Sequence, residues 1–413
     1  MSSTTFPPAT SVRLKPHRQH PFLARHPWVH AHALGQDTKD LECGQTVDLV
    51  DSEDRFIARG LINPASKLRV RLHSFDQDQD LNQDFWCSRI KNAIARRRLD
   101  QTWDGKSPDS AERLVFSESD LISGLIVDRY AGRLSIQFTS AALWAHGEAV
   151  LSALDDALRF HGIDIAGSVV RLDPKTASHE GCSPVDERRG TMGDEAVLYR
   201  IGELNHEVDL QDGQKTGGYL DQRENHRIVA GYLAGRDVLD MCCYHGGFGL
   251  SALAAGAKSV HFVDTSAAAI ESAKRSMQQN GLSGGTFEVA DCFDWLSGSE
   301  DQPSTQELRQ FDAIILDPPR FAGSRKQVDS AIRAYTRLNR HALDRLRPGG
   351  ILVTCSCSGR VSRSDFLNML LDAARRNHRD LVILENRGPA ADHPFSICCP
   401  ESNYLKCVIA IAG

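Results

Sequence analysis

Apolar positions in the second half of the chain fall in short unbroken runs, at 238–239, 260–263, 314–316 and 351–353. Each run is closed by an acid or a thiol: Asp240, Asp264, Asp317, and Cys355 and Cys357 in Thr354-Cys355-Ser356-Cys357. From about Glu195 these runs alternate with helical stretches, which predicts a parallel sheet. The first half is patterned differently. Residues 11–14, 46–50, 56–62 and 68–72 alternate, with the polar turn Asp51-Ser52-Glu53-Asp54 between two of them, so a small β module is expected. Residues 84–99 read as a helix with Phe85, Ile90, Ala93 and Ile94 on one side, and the run Arg96-Arg97-Arg98 suits its dipole. Residues 100–111 read as a linker, 114–116, 125–127, 134–138 and 168–172 as strands, 141–161 as a helix and 173–193 as a loop.

The expected fold is therefore α/β, with a small N-terminal β domain and a central α+β domain before the parallel sheet. The boundaries are a disordered tail at 1–10, the β module at 11–78, helix and linker at 79–112, the central domain at 113–194 and the α/β domain at 195–413.

Composition narrows the function classes. At 413 residues, 41% hydrophobic and 25% charged, the chain can build real cores. No apolar run approaches the roughly 18 residues of a membrane span, and the Ser/Thr/Pro-rich start does not resemble a signal peptide, so a cytoplasmic protein is expected. Eleven cysteines without a C-x-x-C pair argue against a disulfide framework and a zinc ribbon, and no metal site is expected. The net charge of −6 does not advertise a nucleic-acid binder, but residues 11–36 hold Arg13, Lys15, Arg18, Arg25 and five histidines with no acid.

The turn after Asp240 carries Tyr244, Gly246, Gly247 and Gly249 before an alanine-rich helix. Its G-G-x-G spacing differs from the G-x-G-x-x-G of a dinucleotide fold, which cradles a pyrophosphate. Acids around a bare backbone suit S-adenosylmethionine (SAM), whose sulfonium is cationic. Asp264 at the next strand end is placed for the ribose hydroxyls, and Asp291 in V-A-D-C for the adenine amine. Asp317-Pro318-Pro319-Arg320 forms a stiff loop that can present Asp317 to a planar base. Arg320 stands where amine methyltransferases carry an aromatic residue, and Phe321 is left to stack. Methylating carbon-5 of a pyrimidine requires a thiolate at carbon-6, hence a cysteine facing the substrate. Cys355 reads as a core thiol; Cys357, among Ser356, Ser358 and Gly359, reads as the nucleophile.

Together these residues resemble the RlmI-type family of bacterial 23S rRNA cytosine-C5 methyltransferases. Arg25-His26-Pro27-Trp28 and Arg59-Gly60-Leu61-Ile62-Asn63-Pro64 are similar to its N-terminal PUA domain, and Ser123-Gly124-Leu125-Ile126-Val127-Asp128-Arg129-Tyr130 to its central domain. The string Gly213-Gln214-Lys215-Thr216-Gly217-Gly218-Tyr219-Leu220-Asp221-Gln222-Arg223 is the most specific match, and Ala391-Asp392-His393-Pro394 completes it. The resemblance implies a SAM cofactor, Cys357 as nucleophile and Asp317 in the catalytic set, with Tyr219 and Arg223 joining the cofactor residues. Arg18, Arg25, Arg320 and Phe321 are the expected RNA contacts. The D-P-P loop has no second cysteine, so Asp392, His393 or Glu401 is expected to abstract the proton, with Glu401 preferred. The expected partner is 23S rRNA, free or in an assembly particle, with no membrane and with room for a homodimer. Two alternatives stand beside this: a uracil-C5 RNA methyltransferase, and a non-catalytic RNA-binding or ribosome-assembly protein on a methyltransferase fold.

Overall fold

The computed structural model describes residues 9–99, 107–193, 196–210, 217–298 and 309–413. Its internal contacts gather into two units: Met1–Tyr199 with Val208–Gly217 and Asp392–Ser402, and Arg200–Glu207 with Gly218–Ala391 and Asn403–Gly413. The strand–helix alternation expected from residue 195 onward is thus broken twice, where 208–217 and 392–402 join the first unit. The expected tail lies almost wholly outside the described residues, as do most of the linker and Gly213, Gln214, Lys215 and Thr216.

The first unit holds two five-stranded sheets. In one, β1 (Thr10–Arg13), β3 (Thr46–Val50), β4 (Phe56–Ile62), β5 (Leu68–Ser74) and β2 (Trp28–His30) lie in that order, with the one-turn helix α1 (His20–Leu23) before β2. Val12, Val29, Val47, Leu49, Ile62 and Val70 alternate inward to form its core. The second sheet runs β10 (Val185–Gly190), β9 (Gly167–Leu172), β8 (Arg133–Phe138), β7 (Leu125–Tyr130), β6 (Ala111–Phe116). Helices α2 (Gln83–Arg96) and α4 (Gly147–Phe160) share its core, and Phe85, Ile90, Ala93 and Ile94 are buried in it.

One expectation is completed here and three need correction. The arginine run is held by ion pairs: Arg96 and Arg97 reach Asp120 at 2.7 and 2.6 Å, and Arg98 reaches Glu112 at 2.5 Å. Strand β6 starts at Ala111, inside the expected linker, because its polar residues are paired, Glu112 with Arg98 and Arg113 with Asp128 at 2.7 Å. The helix expected over 141–161 breaks into α3 (Ala141–Trp144) and α4, and between them His146 Nε2 meets the Gly44 carbonyl at 2.7 Å. The expected loop at 173–193 contains helix α5 (Pro174–Glu180) and edge strand β10. Asp173 caps α5 by accepting the Lys175 and Thr176 amides at 3.0 Å, and left-handed Gly181 ends it.

Strands β11 (Val197–Ile201) and β12 (Leu204–Val208) pair where the chain passes between units. The second unit is then a seven-stranded sheet in the order β15 (Gly285–Val289), β14 (Ser259–Asp264), β13 (Asp237–Met241), β16 (Phe311–Leu316), β17 (Leu346–Ser356), β19 (Lys406–Ala412), β18 (Leu381–Arg387). Strand β19 runs antiparallel to both neighbours, while β13 to β17 are parallel. Both faces are covered, which is why the central strands read as unbroken apolar runs. Val238, Ile315 and Val353 face one core; Leu239, Ile314, Leu316 and Leu352 face the other. The unit's helices are α6 (Arg223–Ala230), α7 (Gly247–Ala254), α8 (Ala267–Gln279), α9 (Cys292–Ser297), α10 (Val328–Arg345) and α11 (Arg363–Arg376). Met241 is level with Leu316, and Leu316 with Thr354, so the acids and thiols that close these strands emerge along one edge.

Candidate active site

That edge is the topological switch point, where strand order reverses on either side of β13, the place at which open α/β sheets bind their ligands. Asp240, wholly buried, turns Oδ2 to the Gly249 amide at 2.8 Å and so ties the start of α7 to the strand. Its Oδ1 is buried without a partner among the described residues, and desolvation pushes the carboxyl up to about 7. Asp264 takes the Tyr244 amide on Oδ2 and the Ser266 amide on Oδ1, both at 2.9 Å. Each oxygen keeps acceptor capacity for a further donor. Asp291 caps α9 through Oδ1, accepting from the Phe293 and Asp294 amides at 2.7 and 3.3 Å.

The glycines of the turn serve close packing. A Cβ on Gly249 would stand 2.2 Å from the Phe262 ring and 2.9 Å from Asp240 Oδ2; one on Gly247 would stand 2.3 Å from His226. Gly246 has φ +78°, which a side chain would strain. Tyr244 stacks on His245 at 3.8 Å and meets Tyr219 edge-on at 5.0 Å. Three histidines back this turn, His206, His226 and His245. Burial holds them at about 4, 3 and 4, so they are neutral. Buried Arg223 begins α6. An orphaned buried carboxylate oxygen, a ribose-competent acid and a turn with three glycines together fit SAM.

Asp317 follows β16, and Gln222 donates its amide to Oδ2 at 3.0 Å. Asn225 in turn bonds Gln222 at 2.7 Å, and Arg387 bonds Asn225 at 2.8 Å. Desolvation, aided by nearby Asp221, raises Asp317 to about 7. The sequence placed Gln222 in its most specific string; the structure gives it this contact.

Cys355 is fully buried opposite Cys407 on β19, and burial raises its thiol well above the usual range. Cys357, just beyond β17, is half-buried and within electrostatic reach of Tyr219, Tyr335 and Lys406. Ser358 joins the two loops: its Oγ accepts the Phe321 and Ala322 amides, each at 3.2 Å, and lies 3.1 Å from the Tyr335 hydroxyl. The ammonium of Lys406, itself buried, donates to the carbonyls of Ser358, Val361 and Tyr404 at 2.7, 2.9 and 2.8 Å. Burial lowers Lys406 to about 8. Sequence reading named Ser358 only as a neighbour of Cys357 and missed Tyr335 and Lys406, because a lysine entering an apolar strand gives no sign of its acceptors.

Arg320 is exposed with its Nε on the Ala322 carbonyl, and Phe321 packs against Tyr335 at 4.7 Å. In the first unit, Arg18 and Arg25 are exposed, Arg25 lying over Phe75. The expected proton acceptors are in that unit as well. Asp392 takes the Arg113 amide on one oxygen and His393 Nδ1 on the other, at 2.8 and 2.7 Å. Glu401 lies 3.3 Å from His26 Nε2 and beside Cys399 Sγ. His26, Cys399 and Glu401 are close enough together to suggest a cation site. However, His26 Nδ1 accepts the Trp28 amide at 3.3 Å, which leaves the proton on Nε2, directed at Glu401 rather than at a metal.

Residues 12–75 match the family of PUA-like domains, and residues 195–395 the family of S-adenosylmethionine-dependent methyltransferases. A ribosomal RNA large subunit methyltransferase I from Tolumonas auensis is 36% identical over 98% of this chain and 100% of its own. One from Shewanella denitrificans is 36% identical over 97% and 99%. Among solved structures, a candidate SAM-dependent methyltransferase from Streptococcus mutans superposes with a TM-score of 0.80 at 18% identity, covering 97% of this chain and 100% of that one. At that identity the likeness speaks for the fold.

Proposed function

Since this chain belongs to the ribosomal RNA large subunit methyltransferase I family, we propose that it methylates carbon-5 of a cytosine in 23S rRNA through a covalent adduct on Cys357. The observation that carries the reading is the pairing, through Ser358, of a partly exposed cysteine loop with the loop bearing Asp317.

The Cys357 sulfur adds to carbon-6, and the ring electrons shift toward carbon-5 and N3. A carboxyl poised near 7, as Asp317 is, can hold the proton that N3 needs as this charge develops. The turn at Asp240–Gly249 and Asp264 would hold SAM, which would supply an electrophilic methyl to carbon-5 and depart as the neutral thioether. A base then removes the carbon-5 proton, the bond to sulfur breaks, and the thiolate returns. The target base has to leave its stack to reach the sulfur. Ser358 and Lys406 keep the attacking loop in register with Asp317, and the pairing of those loops supports a pyrimidine lying between them.

The test is incubation of the protein with labelled SAM and 23S rRNA, followed by nucleoside mass spectrometry. 5-Methylcytidine is expected; 5-methyluridine would move the enzyme to the uracil class, and no methyl transfer with intact RNA binding would leave an RNA-binding protein. RNA carrying 5-fluorocytidine should trap the adduct on Cys357. Accumulated methylated adduct in Glu401→Gln would assign the proton abstraction to that residue.

A further inference from the structure

Between Arg320 and Arg340, the stretch that follows the D-P-P loop, the chain carries Arg320, Arg325, Lys326, Arg333, Arg337 and Arg340 against a single acid, Asp329. This is a strong local excess in a chain of net charge −6. Arg320, Arg325, Lys326, Arg333 and Arg337 are exposed. Among the described residues none of the six makes an ion pair, whereas Arg375 and Arg376 on α11, the helix that packs against α10, are both paired with Asp372. Among the described residues, then, acids pair with the cations of the neighbouring helix and with none of these six.

The cations are also ordered. Arg333 and Arg337 are one turn apart on α10, so their side chains leave the same face about 6 Å apart along the axis, with Arg340 following. The Arg337 guanidinium lies 4.3 Å over the Phe293 ring, and Phe293 is 6.0 Å from Phe321 in the loop beside Asp317. The row therefore begins at the catalytic loop and continues along one helix. A line of unpaired cations repels itself, and the partner that relieves this is a polyanion of regular spacing.

We propose that the outer face of α10, with the turn at Arg325 and Lys326 that leads into it, is a track for the RNA phosphodiester backbone next to the target nucleotide. This rests on the RNA methyltransferase reading and adds to it a second electrostatic contact, on the catalytic unit itself. Phosphate contacts fix register without reading sequence, so the track would hold the strand while the base is drawn toward Cys357.

The test uses the full-length protein and in vitro transcribed 23S rRNA, with affinity measured over a series of salt concentrations. Arg325→Glu/Arg333→Glu should weaken binding at least about tenfold and flatten the slope of log affinity against log salt by about 1.4–1.8, the value of two phosphates. SAM affinity and the unfolding midpoint should stay as in the parent. Arg375→Glu/Arg376→Glu, on paired arginines, should leave affinity and slope unchanged. Unchanged affinity and slope in the α10 variant would overturn the track, as would an equal loss in the α11 variant. If the parent protein binds and methylates rRNA while the α10 variant keeps its slope, only the track falls. If the parent transfers no methyl, it is the functional reading that fails.

Discussion

Cys355 and Cys357 stand two residues apart, one in the apolar core opposite Cys407 and one half-exposed beyond the strand end. Cys357→Ala should abolish methyl transfer and leave SAM binding intact. Cys355→Ala should retain most activity and lose only the roughly 1–2 kcal/mol of a small cavity; adduct mapping to Cys355 would reverse the assignment. Lys406 gives a second prediction at this scale. Lys406→Met strands three carbonyls that now share one ammonium. Each buried acceptor left unmade costs about 1–3 kcal/mol, so urea unfolding should show a loss of at least about 2 kcal/mol, together with slower adduct formation. Asp264→Ala should weaken SAM by about 1–3 kcal/mol in calorimetry. The charged ends of strands were legible in position because an acid closing an apolar run stands out from it. The roles of Lys406 and Ser358 were not, because most of their partners are backbone atoms more than thirty residues away, which no local pattern announces.

Secondary structure was legible where it was apolar. Strands β13, β14, β16 and the middle of β17 stand where unbroken apolar runs predict them, since burial on both faces leaves no polar positions to confuse the period. Strand β6 and helix α5 were hidden because polar side chains hold them, through ion pairs in β6 and an Asp173 cap in α5. The Asp173-Pro174 start and Gly181 stop were nonetheless present as cap chemistry, and a reading that weighed caps above composition would have found α5. At the start of α7, Gly249→Ala places a methyl against Phe262 and Asp240. The helix start has to shift, and SAM affinity measured by calorimetry should fall more than about tenfold while the far-ultraviolet circular dichroism stays near the parent's.

Stability should depend on pH through groups spread over the molecule. His73, His206, His226 and His245 are held near 3, 4, 3 and 4 in the fold, against 6.5 in an exposed histidine. Between about pH 4 and 6.5 the unfolded chain therefore binds protons at these four sites that the folded chain does not, and stability rises with pH. Asp240 and Asp317, raised to about 7 from 3.8, act in the opposite sense over much of the same window. Four sites outweigh two, so the net change should be a rise of roughly 2–3 kcal/mol per pH unit in mid-window. It should level off above pH 7, once both sets have titrated. Urea midpoints from pH 4.5 to 7.5 would check this; a fall in stability with rising pH would mean the histidines are not buried as described.

One further consequence concerns synthesis. The first unit is not a contiguous stretch: it takes in 392–402, where Asp392 and His393 are almost wholly buried. There the Asp392 carbonyl accepts from Arg97 at 2.8 Å, and its carboxylate accepts the Arg113 amide. A ribosome makes the chain from its N-terminus at about 5–20 residues per second, and domains ordinarily close as they emerge. Here the N-terminal unit lacks its strip 392–402 until the chain has been polymerised past Ser402. A nascent chain released by truncation after Ala391 should then be protease-sensitive in its first two hundred residues as well as in its last. The half made first is among the last to be finished.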